Sequence, residues 1–541
     1  MKKIILLVLT IALQKIPHAQ TLQAQNSQSH AQRLQAQARP NDILLTIDAV
    51  DRAQTIDNIG ASAAWFSEGI GHNWPAAKRE QLAQWLFSQE RSPDGSPKGI
   101  ALSSFRFNIG GGTAEQGDSS GIRDFRKRVE CFLQPDGTYD WTKQPGYLWF
   151  VKKAKEYGVE NLIAFSNTPP VQFNQNGLGY KTNKDHHTNL RPDRYGDFAA
   201  FLATVLRHFD KEGIHFKYIS PVNEPQWDWS NKFGSASQEG SPWHNEEIAA
   251  IVRSLDSALT RTHSTSKILI TEAGQLDYLY GHGDGPATRQ IEVFYQQGSP
   301  LQLNRLPNVL NAAGGHSYFT DKGDSNRIRI RRRLSDTARK YGTQYWQTEY
   351  SMLADGYKEG KTGKIPAIDC ALFLAKVIHD DLVYGNAAAW QLWNSWEPGD
   401  PDFDTRYYLV ALNPTDASYT DGTITATKNL WALGHYSRFI RPGMQRITVT
   451  RNDGMPAEAA AQNVMVSAFA NKHRLVLVAI NYTNVAQTIR PNLRHFTPAK
   501  KYQRYLTTAD KDTNMKHDEG KELSKGVLLP PRSIMTIVSG D

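Results

Sequence analysis

Cysteine is nearly absent from this sequence, whose 541 residues include only Cys131 and Cys370. Two cysteines cannot form a disulfide framework or a thiolate zinc site, so both of those protein classes are excluded. We predict that both thiols are free, with a single bridge between them as the alternative. Neither the pair His186 and His187 nor His379 is spaced from carboxylates as metal ligands are. We therefore predict no catalytic metal and no cofactor.

Long apolar runs are also lacking. The run Ile4–Leu13 has ten residues, follows Lys2 and Lys3, and is too short to cross a bilayer. This pattern is typical of a signal peptide, which we place at residues 1–19, with cleavage after Ala19 or Ala24. A buried N-terminal helix is the alternative. We expect a secreted or periplasmic protein with no membrane span.

Residues 20–41 are rich in Gln, Ala and Ser and have no apolar periodicity, which predicts a disordered linker. The formal net charge of the whole chain is +8, and the three lysines of residues 1–19 account for part of it. So small an excess does not indicate a nucleic-acid partner. The basic run Arg327–Arg333 is interpreted as the solvated outer face of a helix that ends at Gly342, rather than as a binding patch.

Short β-rich runs alternate with helical patterns over residues 55–430, which predicts βα units and a parallel sheet. A doubly wound sheet would alternate in the same way, but no Gly-rich loop with dinucleotide spacing follows the first strand. The predicted fold class is therefore α/β, a (β/α)8 TIM barrel. Its eight candidate strands begin at Thr55, Ala101, Asn161, Phe216, Lys267, Asn308, Thr343 and Ala387.

The pattern changes at about Trp431, after which short alternating strands follow one another without a long helix. Residues 431–541 are therefore predicted to form a small β-sandwich beside the barrel. A strand at residues 42–54 is expected to join that sandwich. We predict that this domain supports the barrel and that the protein is a monomer.

Two carboxylates stand where predicted barrel strands end, in the segments SPVNEPQWDW and WQTEYSM. They are Glu224 on the fourth strand and Glu349 on the seventh, whose tips face each other across the barrel mouth. Glycosidic bond cleavage needs two such carboxylates, ~5–5.5 Å apart in retaining enzymes. Glu272 ends the fifth strand and is a rival, but no Asn precedes it, so we assign it to binding or structure.

At these segments the chain resembles clan A glycoside hydrolases, and within them family 30. The tripeptide Asn223–Pro225 is similar to the clan's acid/base motif, and Thr348–Tyr350 to its nucleophile strand. SSFRFNIGGG and GHYSRFIRPG are similar to the family's second strand and to its junction between barrel and β domain. Overall likeness is greatest to the endo-β-1,6-galactanase branch, which acts on arabinogalactan side chains. The sequence VQFNQNG after Pro170 departs from the family pattern, so β-1,6-glucanase and xylanase stay open.

The resemblance implies roles for other side chains. Glu349 would be the nucleophile and Glu224 the acid/base, with Arg106 keeping Glu349 ionised and Asn223 binding the sugar 2-hydroxyl. The clan's pattern implies that Tyr318 holds the nucleophile. The remaining predicted sugar contacts are Asn167, His316, Trp393, Trp396, Trp227 and Trp65, with Trp229 a weaker candidate and Trp390 assigned to the core. A polysaccharide or oligosaccharide is the expected partner. A non-catalytic glycan-binding barrel is the competing class.

Overall fold

The computed structural model describes residues 42–281 and 285–540, so the predicted signal peptide and linker lie outside the described residues. The first strand, β1, spans Asp42–Thr55. The next eight strands are parallel and close a barrel in chain order. The eight barrel strands are β2 Asn58–Ser62, β3 Ser104–Ile109, β4 Asn161–Ser166, β5 Phe216–Ser220, β6 Lys267–Ala273, β7 Val309–His316, β8 Gln344–Glu349 and β9 Ala387–Leu392.

Helices follow these strands and cover the outside of the barrel, which confirms the predicted (β/α)8 fold. Helix Tyr195–Lys211 shows why they form, because Phe198, Phe201, Leu202 and Phe209 recur at helical spacing and are all buried. The α-helices among the described residues are Phe66–Asn73, Ala76–Phe87, Thr113–Gln116, Pro145–Glu156, Tyr195–Lys211, Asn245–Arg261, Gln290–Tyr295, Asp324–Lys340, Ala367–Val383, Lys428–Ser437 and Ala457–Ala460.

A small sheet follows the last barrel strand and lies on the side of the barrel where the strands end. It consists of β10 Trp396–Pro398, β11 Val410–Pro414 and β12 Gly422–Ala426. Strands β10 and β11 are parallel, whereas β11 and β12 form an antiparallel pair. The turn between β11 and β12 therefore extends the rim of the barrel.

The C-terminal β domain is one nine-stranded sheet that includes β1. Its order is β18-β17-β20-β15-β14-β13-β1-β16-β19. Apolar residues from distant positions in this order, such as Ile489 of β16 and Leu477 of β15, belong to one buried cluster. The sheet must therefore curl upon itself to enclose that cluster, as a sandwich does. Its last eight strands are β13 Gln445–Arg451, β14 Val464–Ala470, β15 Arg474–Asn481, β16 Gln487–Arg494, β17 Lys501–Thr507, β18 Lys516–Lys521, β19 Val527–Leu529 and β20 Ser533–Gly540.

The predicted domain boundary between residues 430 and 431 falls inside helix Lys428–Ser437. This helix is buried between the barrel and the sheet. His435 donates and accepts hydrogen bonds with Thr536 and Thr507 of the sheet, at 2.8 and 2.9 Å. The Tyr436 hydroxyl donates to the backbone of a barrel helix at Ala375. The two domains therefore share this helix.

The interpretation of the basic run as a wholly solvated face is wrong for two of its arginines. Helix Asp324–Lys340 exposes Arg329, Arg332 and Arg333, as predicted, but buries Arg327 and Arg331. Arg327 Nε lies 2.5 Å from Asp380 Oδ2 on the neighbouring helix Ala367–Val383. This ion pair could not be predicted from the sequence because its two residues are 53 positions apart.

Two other predictions concern the cysteines and the membrane spans. Cys131 and Cys370 are both free and buried, so the single bridge does not form. Within residues 42–281 and 285–540, none of the helices combines the length and the apolar character needed to cross a membrane.

Candidate active site

The ends of β5 and β8 bring Glu224 and Glu349 together at the mouth of the barrel. Glu349 is the last residue of β8, whereas Glu224 lies four residues beyond the end of β5 at Ser220. One carboxylate oxygen of each, together with a ring nitrogen of His316, lies within 4.8 Å of the others. Nearest oxygens this close fit the carboxyl groups of retaining glycosidases, which are ~5–5.5 Å apart, better than those of inverting ones, which are ~6.5–9.5 Å apart.

The backbone of Glu224 is fixed from both sides. Its φ of 46° lies in the left-handed region, which is unfavourable for a residue with a Cβ. Its N–H donates to Glu272 O at 2.8 Å, and its carbonyl accepts from Trp229 Nε1 at 3.0 Å. A side chain at Gly240 would collide with the Trp229 ring. These contacts hold the strained turn that directs the Glu224 carboxylate into the cleft.

The Glu349 carboxylate is held by two buried donors. Arg106 NH1 forms an ion pair with Oε2, and the Tyr318 hydroxyl donates to Oε1 at 2.9 Å. Arg106 NH2 also donates to Asn223 Oδ1 at 3.1 Å, and the guanidinium lies 3.8 Å above the Phe165 ring. With 2% of its surface exposed, Arg106 does not reach the cleft. It therefore acts on substrate only through Glu349 and Asn223.

His316 joins Glu224 to the third carboxylate, Glu272. Its Nδ1 lies 2.9 Å from Glu224 Oε1, and its Nε2 lies 3.3 Å from Glu272 Oε2. Burial by itself lowers the pKa of His316, but the charge of Glu349 and the hydrogen bonds to Glu224 and Glu272 raise it to about 10. At neutral pH the ring is therefore a cation that donates to both carboxylates.

Glu272 lies beneath both members of the pair and is fully buried. It accepts hydrogen bonds from the hydroxyls of Ser220 and Thr348, and Arg106 NH2 lies 3.6 Å from its Oε1. Burial by itself raises the pKa of Glu272, but the charge of Arg106 and the hydrogen bond and charge of His316 lower it to about 2. Glu272 is therefore ionised at neutral pH and offsets part of the charge of the two buried cations.

Glu224 is in a different environment. Its pKa is raised above the usual value by burial and by the negative charge of Glu349, although the hydrogen bond and charge of His316 oppose this. With Glu224 protonated, the two cations Arg106 and His316 balance the two anions Glu272 and Glu349. Glu224 is thus favoured as a proton donor, while its neighbour Glu349 is paired with the cation of Arg106.

The two carboxylates open into a cleft of about 550 Å³. Aromatic rings and polar groups line it together, as is usual for pockets that bind small ligands. The cleft is lined by Trp65, Lys127, Asn167, Asn223, Glu224, Trp227, Trp229, Gln238, Tyr318, Phe319, Glu349, Leu353, Trp393, Glu397 and Tyr407. Trp229 and eight of the predicted catalytic and sugar-binding residues therefore line the cleft: Glu224, Glu349, Asn223, Asn167, Tyr318, Trp393, Trp227 and Trp65.

Two predicted sugar contacts do not line the cleft. His316 is fully buried behind the carboxylates, because both of its nitrogens face Glu224 and Glu272. Trp396 is also fully buried, with its ring centroid 4.5 Å from that of Phe150 and its Nε1 donating to the Ser67 hydroxyl. Neighbouring residues of a strand point to opposite faces, so Glu397, one position later, faces the cleft instead.

Sequence reasoning missed six of the lining residues. They are Lys127, Gln238, Phe319, Leu353, Glu397 and Tyr407. Phe319 carried a usable signal, since it directly follows the predicted contact Tyr318. Its ring lies 6.1 Å from that of Trp227, and 46% of the residue is exposed. Leu353 lies four residues past the end of β8, and Glu397 lies in β10. Strand-tip reasoning could not place the other three residues, because they follow no barrel strand closely.

The trio Glu224, His316 and Glu349 also has the geometry to hold a metal ion. These groups already satisfy one another, because His316 bonds Glu224 while Arg106 and Tyr318 bond Glu349. A cation there would compete with the charges of Arg106 and His316. The absence of a metal requirement therefore stays a prediction, which chelation can test.

A barrel with two facing carboxylates at its strand ends, one paired with a buried arginine and one whose pKa is raised, defines the class of glycoside hydrolases. Residues 42–405 match the family model described as O-Glycosyl hydrolase family 30. That match covers more than half of the chain, so the protein belongs to this family and is an O-glycoside hydrolase.

Similar proteins are of several kinds. The chain is 23% identical over 411 residues to glucuronoxylanase XynC of Bacillus subtilis, covering 72% of this chain and 77% of the relative. A conserved exported protein from Bacteroides fragilis is 34% identical, with a TM-score of 0.84 over 92% of this chain and 100% of that one. An endo-β-1,6-glucanase shares 17% identity, with a TM-score of 0.60 over 92% and 94% of the two chains, and this likeness concerns the fold alone.

Proposed function

We propose that this protein is a secreted, retaining glycoside hydrolase that cleaves β-linked polysaccharide by double displacement. The observation that carries the proposal is the carboxylate pair Glu224 and Glu349, whose nearest oxygens lie within 4.8 Å. An inverting mechanism needs room for a water between the sugar and the base, and therefore a wider separation. Secretion is supported by the N-terminal pattern and by the exported relative from Bacteroides fragilis.

In the first step the Glu349 carboxylate attacks the anomeric carbon. Protonated Glu224 gives its proton to the leaving oxygen as the glycosidic bond breaks, which leaves a glycosyl ester on Glu349. Arg106 and Tyr318 orient the attacking carboxylate through their bonds to Oε2 and Oε1. Asn223, whose side-chain oxygen accepts from Arg106, would bind the hydroxyl next to the anomeric carbon.

In the second step Glu224 acts as the base. Esterification removes the negative charge of Glu349, and that charge is one of the causes that raise the pKa of Glu224. The pKa of Glu224 therefore falls, and the ionised carboxylate takes a proton from water. The resulting hydroxide-like oxygen attacks the anomeric carbon, and Glu349 departs as a carboxylate. The configuration at that carbon is retained.

For the substrate we propose β-1,6-linked galactan side chains of arabinogalactan, cleaved in endo fashion. Support comes from the likeness of FNIGGGTAEQGD, SNTPP and PVNEPQWDW to the galactanase branch of the family. The second candidates are xylan and β-1,6-glucan, because the relatives include a glucuronoxylanase and an endo-β-1,6-glucanase.

Release of reducing sugar from a panel of polysaccharides tests these substrates. The expected result is activity on de-arabinosylated arabinogalactan but not on xylan or β-1,6-glucan. Proton NMR of the first product should show the β-anomer before mutarotation. Activity on xylan or β-1,6-glucan alone would contradict the galactan proposal and identify that polysaccharide as the substrate. An α-anomer as the first product would contradict the retaining mechanism.

A further inference from the structure

A second cavity of about 430 Å³ lies next to the catalytic cleft, and we call it the side pocket. Trp65 lines both cavities. The segment 126–128 separates them, because Arg126 and Arg128 line the side pocket while Lys127 lines the cleft. Lys127 Nζ lies 4.2 Å from the centre of the Trp65 ring. The two cavities therefore share a wall that is formed by Trp65 and the segment 126–128.

The side pocket has the composition of a saccharide site. The rings of Phe66 and Tyr419 lie 5.8 Å apart in its wall, and the Arg126 guanidinium lies 4.2 Å from the Tyr419 ring. Phe125 stands on its lining with 54% of its surface exposed. Phe66 is buried, so the exposed ring of Phe125 and the half-buried ring of Tyr419 are the apolar surfaces on which the C–H face of a sugar can stack. The volume lies within the ~300–1,000 Å³ typical of ligand pockets.

Hydrogen-bonding groups complete the lining. Asn73, Thr142 and Ser418 bring an amide and two hydroxyls to the side pocket. Together with the aromatic wall, they provide the mixture of stacking surface and short polar groups that a sugar ring requires. They come from the end of helix Phe66–Asn73, from the segment before helix Pro145–Glu156 and from the turn between β11 and β12, so the pocket is formed only in the folded barrel.

The cations of the side pocket are already paired with carboxylates. Arg126 donates to both oxygens of Asp124, at 2.7 and 2.8 Å. Arg128 NH2 lies 2.8 Å from Asp118 Oδ1, and Lys143 contacts acidic side chains at 3.4 and 3.5 Å. An acidic sugar would have to break such pairs, whereas an uncharged sugar would not.

We propose that the side pocket is a second saccharide subsite, which takes an uncharged sugar unit of a molecule longer than a disaccharide whose other units occupy the cleft. The inference rests on the proposed glycosidase function, since it requires a saccharide in the cleft. On this proposal the enzyme also binds sugar units of the substrate that are distant from the bond it cleaves. A substrate long or branched enough to reach past Trp65 gains the contacts of the side pocket, and a shorter one does not.

Isothermal titration calorimetry on the full chain tests this proposal without turnover. Glu224→Gln serves as the inactive background, into which Phe125→Ala and Tyr419→Ala are introduced separately. The matched control is Phe403→Ala, an exposed phenylalanine that lines neither cavity. The probes are the β-1,6-galacto, β-1,6-gluco and β-1,4-xylo tetraoses, each with its disaccharide. Circular dichroism melting verifies that every variant is folded.

Loss of one stacking ring should weaken tetraose binding about fivefold, because aromatic stacking contributes ~0.5–1.5 kcal/mol and ~1.4 kcal/mol is a factor of ten. The affinity of these variants for the disaccharides, and the affinity of the Phe403→Ala control for every probe, should stay within about twofold of the affinity of the Glu224→Gln background. Equal effects on tetraose and disaccharide, no effect of either variant, or no binding of any tetraose would overturn the proposal. Two other measurements test the proposed glycosidase function separately. It would be wrong if no polysaccharide of the panel were cleaved, or if Glu349→Ala kept its activity.

Discussion

The most informative perturbation is Glu272→Gln, which removes a buried charge and almost no volume. Glu272 contacts Arg106 and His316 and is fully buried, so solvent does not screen these contacts. Its pKa falls from the usual 4.5 to about 2. At ~1.4 kcal/mol per pKa unit this corresponds to about 3 kcal/mol of folding free energy at pH 7. Breaking buried ion pairs by removing one partner costs a similar amount, ~3–5 kcal/mol.

Urea denaturation measures this loss. The control is Glu156→Gln, which removes an exposed carboxylate 2.8 Å from Lys153 and should cost at most ~1 kcal/mol. Because the pKa of Glu272 is lowered in the folded state, its contribution is present above pH 4.5 and is lost as pH falls through about 2. A loss at pH 7 no larger than that of the control would refute the reasoning.

The same variant also has a kinetic readout. Removing Glu272 removes one of the groups that raise the pKa of His316, so this ring loses its charge more readily. The charge and hydrogen bond of His316 lower the pKa of Glu224. Glu224 should therefore keep its proton to higher pH, and the basic limb of the kcat/KM profile should move upward. An unchanged limb, or one moved to lower pH, would show that His316 does not transmit this effect.

Further predictions concern the same groups. Glu224→Gln and Glu349→Ala should each remove most activity while the circular dichroism spectrum stays unchanged, and near wild-type turnover in either would be incompatible with the proposed roles. The pKa of Glu224 is raised, so the protonated form persists above the usual pKa of 4.5. A pH–rate profile of the wild type should therefore show kcat/KM falling only at a pH above that value. Prolonged EDTA treatment should leave activity intact, because the charges around the carboxylates balance without a metal. Arg327→Met should lower the free energy of unfolding by ~3–5 kcal/mol, whereas the exposed Arg329→Met should change it by less than ~0.5 kcal/mol in urea denaturation.

The barrel and its carboxylate pair could be predicted because their signals are local. Each barrel strand is a short apolar run, and Glu349 ends its run directly. Glu224 lies four residues past the end of β5 at Ser220. Its position near the strand end could still be predicted, because Asn223 and Pro225 flank it in a recognisable motif. Short-range patterns of this kind need no knowledge of tertiary contacts.

Other features depend on contacts that the sequence does not encode locally. Arg327 is buried because Asp380, 53 residues away, lies on the adjacent helix. Trp396 and Glu397 differ by one position, and only the pairing of their strand with β11 decides which side chain faces the cleft. Lys127 comes from a loop whose course follows from packing, so its position over Trp65 could not be predicted.

Chemical rescue with azide tests the two catalytic roles most directly. The substrate is an activated aryl β-glycoside of the sugar identified by the polysaccharide panel, and the product is analysed by NMR. With Glu224→Ala, azide should attack the glycosyl ester on Glu349 and restore turnover with a β-glycosyl azide. With Glu349→Ala, azide should replace the missing nucleophile and yield the α-glycosyl azide. The opposite assignment of the two anomers, or rescue of Glu272→Ala in place of either variant, would contradict the account.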